Sequence, residues 1–390
     1  MTLRRISIMA TIFLFAFGLI VSPALAFKGT YKVGAVFSVT GRTSFLGDPE
    51  NKTALMIAEE INNAGGINGK KLELIVYDTE GDATKTNLAV KKLINKDKVC
   101  VVIGPSLSGT SLAVLPVAEQ NETPLISCAA SYKIVHCEET GKPYKWVFKT
   151  PQTDTMAVEA IYTQLKKRGL NKIAIMSVTS GFGASGRGEL IKLAPKYGMT
   201  IIADEKYGPK DTDMTAQLTK VKGLAPQAIV SWSVGPTQVV VLRNVRDLGM
   251  TSIPFYQSHG FGSRKNIELA AGAAEGVFCP LGACNIAELL SNNHPQKKVT
   301  MKYHKDYMAK YNEPLSSFGG HAWDALYMVK QALSSVGDDK AKIRDYLENN
   351  IKGFVGQHGI FTYSPDDHNG LTKEAFSMVV VKDGDWSLAD

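Results

Sequence analysis

The chain lacks a second long apolar run, and its single candidate, Ile8–Val21, falls short of the roughly 20 residues that span a bilayer, so no transmembrane helix is expected. Paired C-x-x-C spacings are also missing, which argues against a zinc site. There is no dense Lys/Arg run and no RNP-like aromatic box, which argues against a nucleic-acid partner. The absence of a G-x-S-x-G elbow leaves a hydrolase without its nucleophile turn. No low-complexity segment or short repeat interrupts the chain. No metal, cofactor or catalytic residue is expected from these features, and the chain does not read as an enzyme.

What is present begins with Arg4 and Arg5, the apolar run, and Ser22-Pro23-Ala24-Leu25-Ala26, an A-x-A cleavage site. Residues 1–26 therefore read as a secretory signal peptide, and the mature chain is expected as a soluble periplasmic protein. No cysteine follows the apolar run, so lipid attachment at the cleavage point is not expected. The 44 basic residues exceed the 37 acidic ones, with two of the former in the leader and the rest dispersed. A hydrophobic content of 44% over 390 residues is enough for two cores. Five cysteines in an exported chain permit disulfides and leave at least one thiol unpaired. The short-loop pairs to test are Cys128 with Cys137 and Cys279 with Cys284, while Cys100, inside Val99–Ile103, reads as a buried thiol.

From Tyr31 onwards, strands alternate with helices. Strands Tyr31–Phe37, Lys71–Asp78, Val99–Ile103 and Pro124–Ser127 are separated by helices Asn51–Ala64, Ala83–Asn95 and Gly109–Asn121, with Gly, Pro or Asn at most joints. The alternation restarts after Trp146. Strands Lys172–Val178, Thr200–Ala203, Ala228–Trp232 and Pro254–Gln257 come with helices Met156–Arg168, Gly188–Tyr197, Met214–Val221 and Gln238–Leu248. Such βαβ units predict an α/β protein with two parallel sheets. The helices Val299–Tyr311, Phe318–Ser335 and Lys340–Asn349 have no following strand and are expected to return to cover the first lobe.

Three segments carry a resemblance: Tyr31-Lys-Val-Gly-Ala-Val-Phe-Ser-Val-Thr-Gly41, then Glu59-Glu-Ile-Asn-Asn-Ala-Gly-Gly-Ile-Asn-Gly-Lys-Lys-Leu-Glu-Leu74, then Val102-Ile-Gly-Pro105. Together with Leu125–Ser131, Val147–Thr150, Gly181–Gly183, Val241–Gly249 and His321–Leu326, they make nearly the whole mature chain similar to the leucine/isoleucine/valine-binding protein family, the type I periplasmic solute-binding proteins of ABC importers. The resemblance implies two Rossmann-like lobes joined by three crossovers, with ligand held between them. The lobes would be 28–152 plus 283–355, and 153–282 plus 356–390. The implied partners are a small-molecule carboxylate or amino acid and an ABC transporter permease and ATPase complex, with the binding protein itself a monomer.

The strand-to-helix joint Ile103–Thr110 offers free N–H groups and a positive helix end, which is an anion site. By the family pattern, Ser108, the Ala129 backbone and the Ser131 hydroxyl hold a ligand carboxylate; the alternative for Ser108 is a helix cap. The family's amino-acid binders place an acid after the strand Pro254–Gln257 to accept an α-ammonium, and here His259 occupies that place. An unpaired buried ammonium costs several kcal/mol. The ligand is therefore expected to be an aromatic acid or another carboxylate without the amine, with Asp48 or another acid as the alternative acceptor. Further wall candidates by family position are Phe45, Leu46, Tyr132, Phe182, Trp232 and Phe318.

Two competing readings remain at this level. Gly181-Phe-Gly183-Ala-Ser-Gly186 with Asp204 imitates a dinucleotide fingerprint and would imply an NAD-dependent enzyme. The same fold also serves ligand-sensing modules that report to a receptor.

Overall fold

The computed structural model describes residues 27–389, so the expected leader, residues 1–26, lies outside the described residues. The first sheet contains β1 (Thr30–Phe37), β2 (Lys71–Asp78), β3 (Val101–Ile103), β4 (Leu125–Ser127) and β5 (Val147–Lys149), all parallel, in the order β2-β1-β3-β4-β5. The second contains the parallel strands β6 (Lys172–Val178), β7 (Thr200–Tyr207), β8 (Ala228–Trp232), β9 (Phe255–Gln257) and β10 (Phe278–Leu281). A short antiparallel pair, β11 (Lys352–Val355) and β12 (Ile360–Thr362), comes next in the chain. The hairpin β13 (Ser377–Lys382) and β14 (Asp385–Leu388) then extends the second sheet antiparallel to β10. Central strands such as Val101–Ile103 and Ala228–Trp232 are buried along their whole length, which is why they read as continuous apolar runs rather than alternating ones.

Helices α1 (Ser44–Asn63), α2 (Ala83–Lys92) and α3 (Ser108–Gln120) flank the first sheet, and α4 (Asp154–Lys167), α5 (Gly181–Tyr197), α6 (Thr215–Gly223), α7 (Thr237–Asp247) and α8 (Arg264–Ala270) belong to the second half. The late helices α9 (Lys297–Tyr311), α10 (Ser317–Val336) and α11 (Lys340–Asn350) return to the first half. Ala322, Leu326, Val329, Leu333, Ile343 and Leu347 share one buried cluster with Val33, Ala35, Ile57 and Ile103. Among the described residues, no helix is long and apolar enough to cross a membrane.

Two helices begin earlier than their sequence pattern indicates. The reading from Asn51 misses the turn from Ser44, because Gly47 and Pro49 disfavour helix; tertiary burial of Leu46, Gly47 and Glu50 overrides that preference. Likewise, α5 starts at Gly181 rather than Gly188, with the Ser180 hydroxyl accepting from Gly183 N at 3.2 Å as its cap.

Three segments join the halves, near Gln152, near Ala283 and between Ala375 and Ser377, with the Gln357–His358 loop packed against them. Gln152 Nε2 donates to His358 O and Ala375 O, both at 3.0 Å, and Cys284 N donates to Gln357 O at 3.1 Å, so all three are bonded together. Phe361, Tyr363, Leu371 and Ala375 still pack in the first core while β13 joins the second sheet. The chain thus changes cores between Ala375 and Ser377, rather than at the 355–356 division drawn from the sequence.

All five cysteines are free. The pairs proposed for testing are not bonded, because their members face different surroundings. Cys279 points into the second core and donates to Ser258 O, whereas Cys284 packs with Met56, Tyr303 and Tyr307. Cys128 is buried in the first core and Cys137 is not buried; Cys100 is a buried thiol.

Candidate functional site

The two halves meet along a seam at the first turns of α3 and α5. A Cβ built on Gly181 would lie 2.7 Å from Gly109 N, so the two backbones touch with no side chain between them. Beside the seam, Ser131 Oγ and Ser185 Oγ bond across the halves at 2.7 Å, and Arg42 Nη1 donates to Pro209 O at 2.5 Å.

Behind the seam lies a cavity of about 50 Å³. From the first half it is lined by Leu46, Ser106, Leu107, Ser108, Phe318 and His321, with Cys128, Ala129, Ala130 and Pro151 beneath them. The second half contributes Phe182, Val234, His259 and Gly260. The wall is almost wholly apolar.

The sequence-derived candidates separate into two groups. Ser108, Ala129, Phe182, His259, Leu46 and Phe318 line the cavity. Ser131, Trp232, Tyr132 and Phe45 do not. Ser131 is occupied in the seam, its N–H donating to Ser108 Oγ at 3.3 Å and its hydroxyl meeting Ser185. Trp232 is fully buried one layer behind, with its ring 5.9 Å from Phe182 and 5.8 Å from His259. Tyr132 stacks on His136 at 4.7 Å in a separate groove, and Phe45 packs edge-on against Phe318 at 6.1 Å on the outer side. Asp48, the alternative acid, lies in that outer groove and pairs with Lys52 at 2.8 Å, too committed and too far out to serve the cavity.

Local bonding bears on the groups expected to hold a carboxylate. Ser108 does not cap its helix, since α3 starts with no side-chain cap bond. Ala129 N donates to Ser127 Oγ at 3.1 Å, so this N–H is already used. Ser106 accepts from Ser38 N and donates to the buried Glu50. The Ser108 hydroxyl and the uncapped first-turn N–H groups of α3 are the donors left towards the cavity, next to the positive ends of two helices.

Sequence reasoning missed His321 and Ser106. His321 sits in the apolar stripe of α10, where its spacing matches core residues and carries no local signal. Its ring stacks on His358 at 3.7 Å, and its Nδ1 is enclosed without a partner. His259 fits among Phe182, Trp232 and Phe376, and both its nitrogens are enclosed and unpaired although part of the ring is exposed. Burial, with lesser contributions from Lys149 and His358 nearby, lowers His259 to about 3; burial holds His321 well below the ordinary histidine value.

Both imidazoles are thus harder to protonate in the folded state than in the unfolded chain. The contribution of His259 is complete above pH 6.5 and is lost as pH falls from there towards 3, by up to about 1.4 kcal/mol per pH unit, and that of His321 is lost in the same direction. Urea unfolding at pH 7.5 and 5.5 should give a smaller pH slope for His259→Phe, which keeps the aromatic packing, than for the native chain. Equal slopes would remove His259 from this account.

The glycines of Gly181–Gly186 serve packing. A Cβ on Gly183 would lie 1.8 Å from Val178 O, and one on Gly186 would lie 1.9 Å from the Trp232 ring. Asp204 is held by a bidentate contact with Arg187. The segment therefore brings α5 onto its sheet and against α3, and the residue that would meet a ribose is already engaged.

A family model described as periplasmic binding protein matches residues 30–385. The leucine-, isoleucine-, valine-, threonine- and alanine-binding protein of Pseudomonas aeruginosa is 25% identical, over 82% of this chain and 83% of its own. The crystal structure of an extracellular ligand-binding receptor from Rhodopseudomonas palustris HaA2 superposes with a TM-score of 0.85 at 28% identity, covering 92% of this chain and 99% of that one. The branched-chain amino acid transporter substrate-binding protein LivJ from Streptococcus pneumoniae, solved in complex with isoleucine, gives a TM-score of 0.80 at 25% identity over 93% and 99%. With two α/β halves, three connecting segments and an apolar cavity where two helix ends meet, the chain belongs to the leucine/isoleucine/valine-binding family of type I periplasmic binding proteins.

Proposed function

We propose that the protein is the periplasmic substrate-binding component of an ABC importer, taking a small carboxylate with an apolar or aromatic body and no α-ammonium. Loaded protein then docks on a permease and ATPase complex at the membrane. The observation that carries the ligand class is the cavity wall: none of its fourteen lining residues is Asp or Glu. An α-ammonium enclosed there would lack a charged acceptor, at a cost of several kcal/mol. An anion, by contrast, meets two helix N-termini, the Ser108 hydroxyl and the imidazole edge of His321. The lobes close over it by hinge motion.

An amino-acid ligand is the second reading, favoured by the names of the relatives and by the isoleucine held in the LivJ structure. It would require Glu50, which stands behind Ser106, to reach the amine; burial, opposed by the Ser106 hydrogen bond, raises Glu50 well above the usual carboxylate range.

Calorimetry with benzoate, a branched 2-oxo acid and leucine separates the two readings. Micromolar binding of an amine-free acid, about 8 kcal/mol, with leucine at least about tenfold weaker is expected. Ser108→Ala should weaken that binding by about 10- to 100-fold, as follows from losing a hydrogen bond to a charge worth about 1.5 to 3 kcal/mol. Tight leucine binding without binding of either acid would overturn the amine-free assignment.

A further inference from the structure

We infer that His321 is a second specificity-determining contact for the cleft ligand, its open ring edge donating to an oxygen of the bound anion while the His358–Asp324 pair behind it holds the ring in place. The inference rests on the carboxylate reading given above and adds a residue from the opposite wall to Ser108.

The geometry begins at Asp324, which is fully buried three residues along α10 from His321. It accepts from Gln357 N at 2.6 Å, from His358 N at 3.1 Å and from His358 Nδ1 at 3.0 Å. That last bond turns the Nδ1–H of His358 onto Asp324 and leaves its enclosed Nε2 unpaired. The flat face of His358 then stacks on His321 at 3.7 Å with the rings inclined by 27°. With Nδ1 of His321 closed off, Nε2 is the edge turned to the cavity. The other cavity histidine differs, because both nitrogens of His259 are enclosed among aromatic rings.

A buried imidazole edge without a protein partner, at the wall of a cavity lacking carboxylates, is poorly satisfied until a ligand oxygen arrives. The groups facing His321 are His358 from the loop packed against the connecting segments, with Asp324 beyond it on α10, Lys149 from β5 and His259 from the second half. In the empty cleft, burial together with His358, Lys149 and His259 keeps His321 neutral. An anion adds the one charge that reverses this balance. Its arrival should therefore draw a proton from solvent onto the imidazole, leaving an ion pair with the ligand and with Asp324 close behind the stack. Because Gln357 and His358 belong to the bonded junction of the three connecting segments, the contact also ties the occupied cavity to the hinge.

The test is calorimetry of the full chain with benzoate at pH 6, 7 and 8, in phosphate and in Tris, which reports protons taken up per ligand. The native protein should bind more tightly as pH falls, with uptake approaching one proton. His321→Gln should bind benzoate at least about tenfold more weakly and lose most of the uptake and of the pH dependence. His259→Gln should keep the uptake. Asp324→Asn should retain binding but shift its pH profile to lower pH, and its unfolding curve shows whether the fold survives. Unchanged affinity and uptake in His321→Gln would overturn the inference while leaving the carboxylate reading intact. If leucine proves the tighter ligand, the amine-free reading fails. The same variants measured on leucine would still decide the role of His321, since its α-carboxylate presents the same oxygens.

Discussion

Replacing Lys149 with methionine is expected to lower the unfolding free energy by about 3 to 5 kcal/mol, whereas Lys149→Met combined with Asp154→Leu should restore most of that loss. Lys149 ends β5 fully buried, and its Nζ donates to Ala130 O at 2.7 Å and Gln152 O at 3.3 Å. Asp154 opens α4 equally buried, with neither carboxylate oxygen hydrogen-bonded. Burial pushes the ammonium of Lys149 down and the carboxyl of Asp154 up, and the charge of each opposes the shift of the other. Removing Lys149 leaves Asp154 with two costly choices, an uncompensated charge or the uptake of a proton.

The choice predicts a pH signature. A carboxyl raised above its unfolded value binds a proton in the folded state first, so folding gains as pH falls towards the unfolded value of about 3.8. The deficit of Lys149→Met should therefore be larger at pH 8 than at pH 5. Denaturant unfolding of both variants at the two pH values checks this. A double variant as unstable as the single one would mean that the backbone bonds of Lys149, rather than its charge, matter. Since Ala130 lines the cavity and Gln152 belongs to the bonded junction, the single variant should also bind ligand less tightly.

Gly186→Ala is the second large effect expected, a loss of about 1 to 3 kcal/mol or more from overpacking. The added methyl would sit 1.9 Å from Cε2 and Nε1 of Trp232, whose ring is buried without freedom to withdraw and supports Phe182 and His259. Stability and affinity should fall together, with a changed near-ultraviolet signal from the displaced indole. Gly188→Ala is the control: it is exposed on the same helix, meets nothing within 4 Å, and should stabilise by up to about 1 kcal/mol through helix propensity. Equal, small effects at both positions would contradict the packing role of Gly186.

Much of the architecture is legible in the sequence where physics is local. The strands Lys172–Val178 and Ala228–Trp232 have the bounds their apolar runs indicate, because buried parallel strands need continuous hydrophobicity, and the half-exposed edge strand Lys71–Asp78 also has the bounds read for it. Elements set by tertiary contact are not legible: the short strands β11, β12 and β14, and the glycine- and proline-bearing first turns of α1 and α5. The site follows the same division. The family resemblance indicates Ser108, Ala129 and His259, but not which aromatic stands in front. Trp232 is hidden behind Phe182, which only the packing of Gly186 determines. His321 is invisible for the opposite reason, since its significance comes from His358, distant in sequence and adjacent in space.

The contact between Gly109 and Gly181 has a consequence for size selection. A joint of two bare backbones has no side chain that can rotate aside, so it cannot accommodate a gap gradually as a pair of lysines or leucines would. It behaves as a caliper. A guest that fits beneath it would let the jaws touch; one bond length too many would hold them apart and break the Ser131–Ser185 bond beside them. Guest length would then be registered at the surface of the molecule as a difference between shut and ajar, independently of how well the guest satisfies the cavity wall.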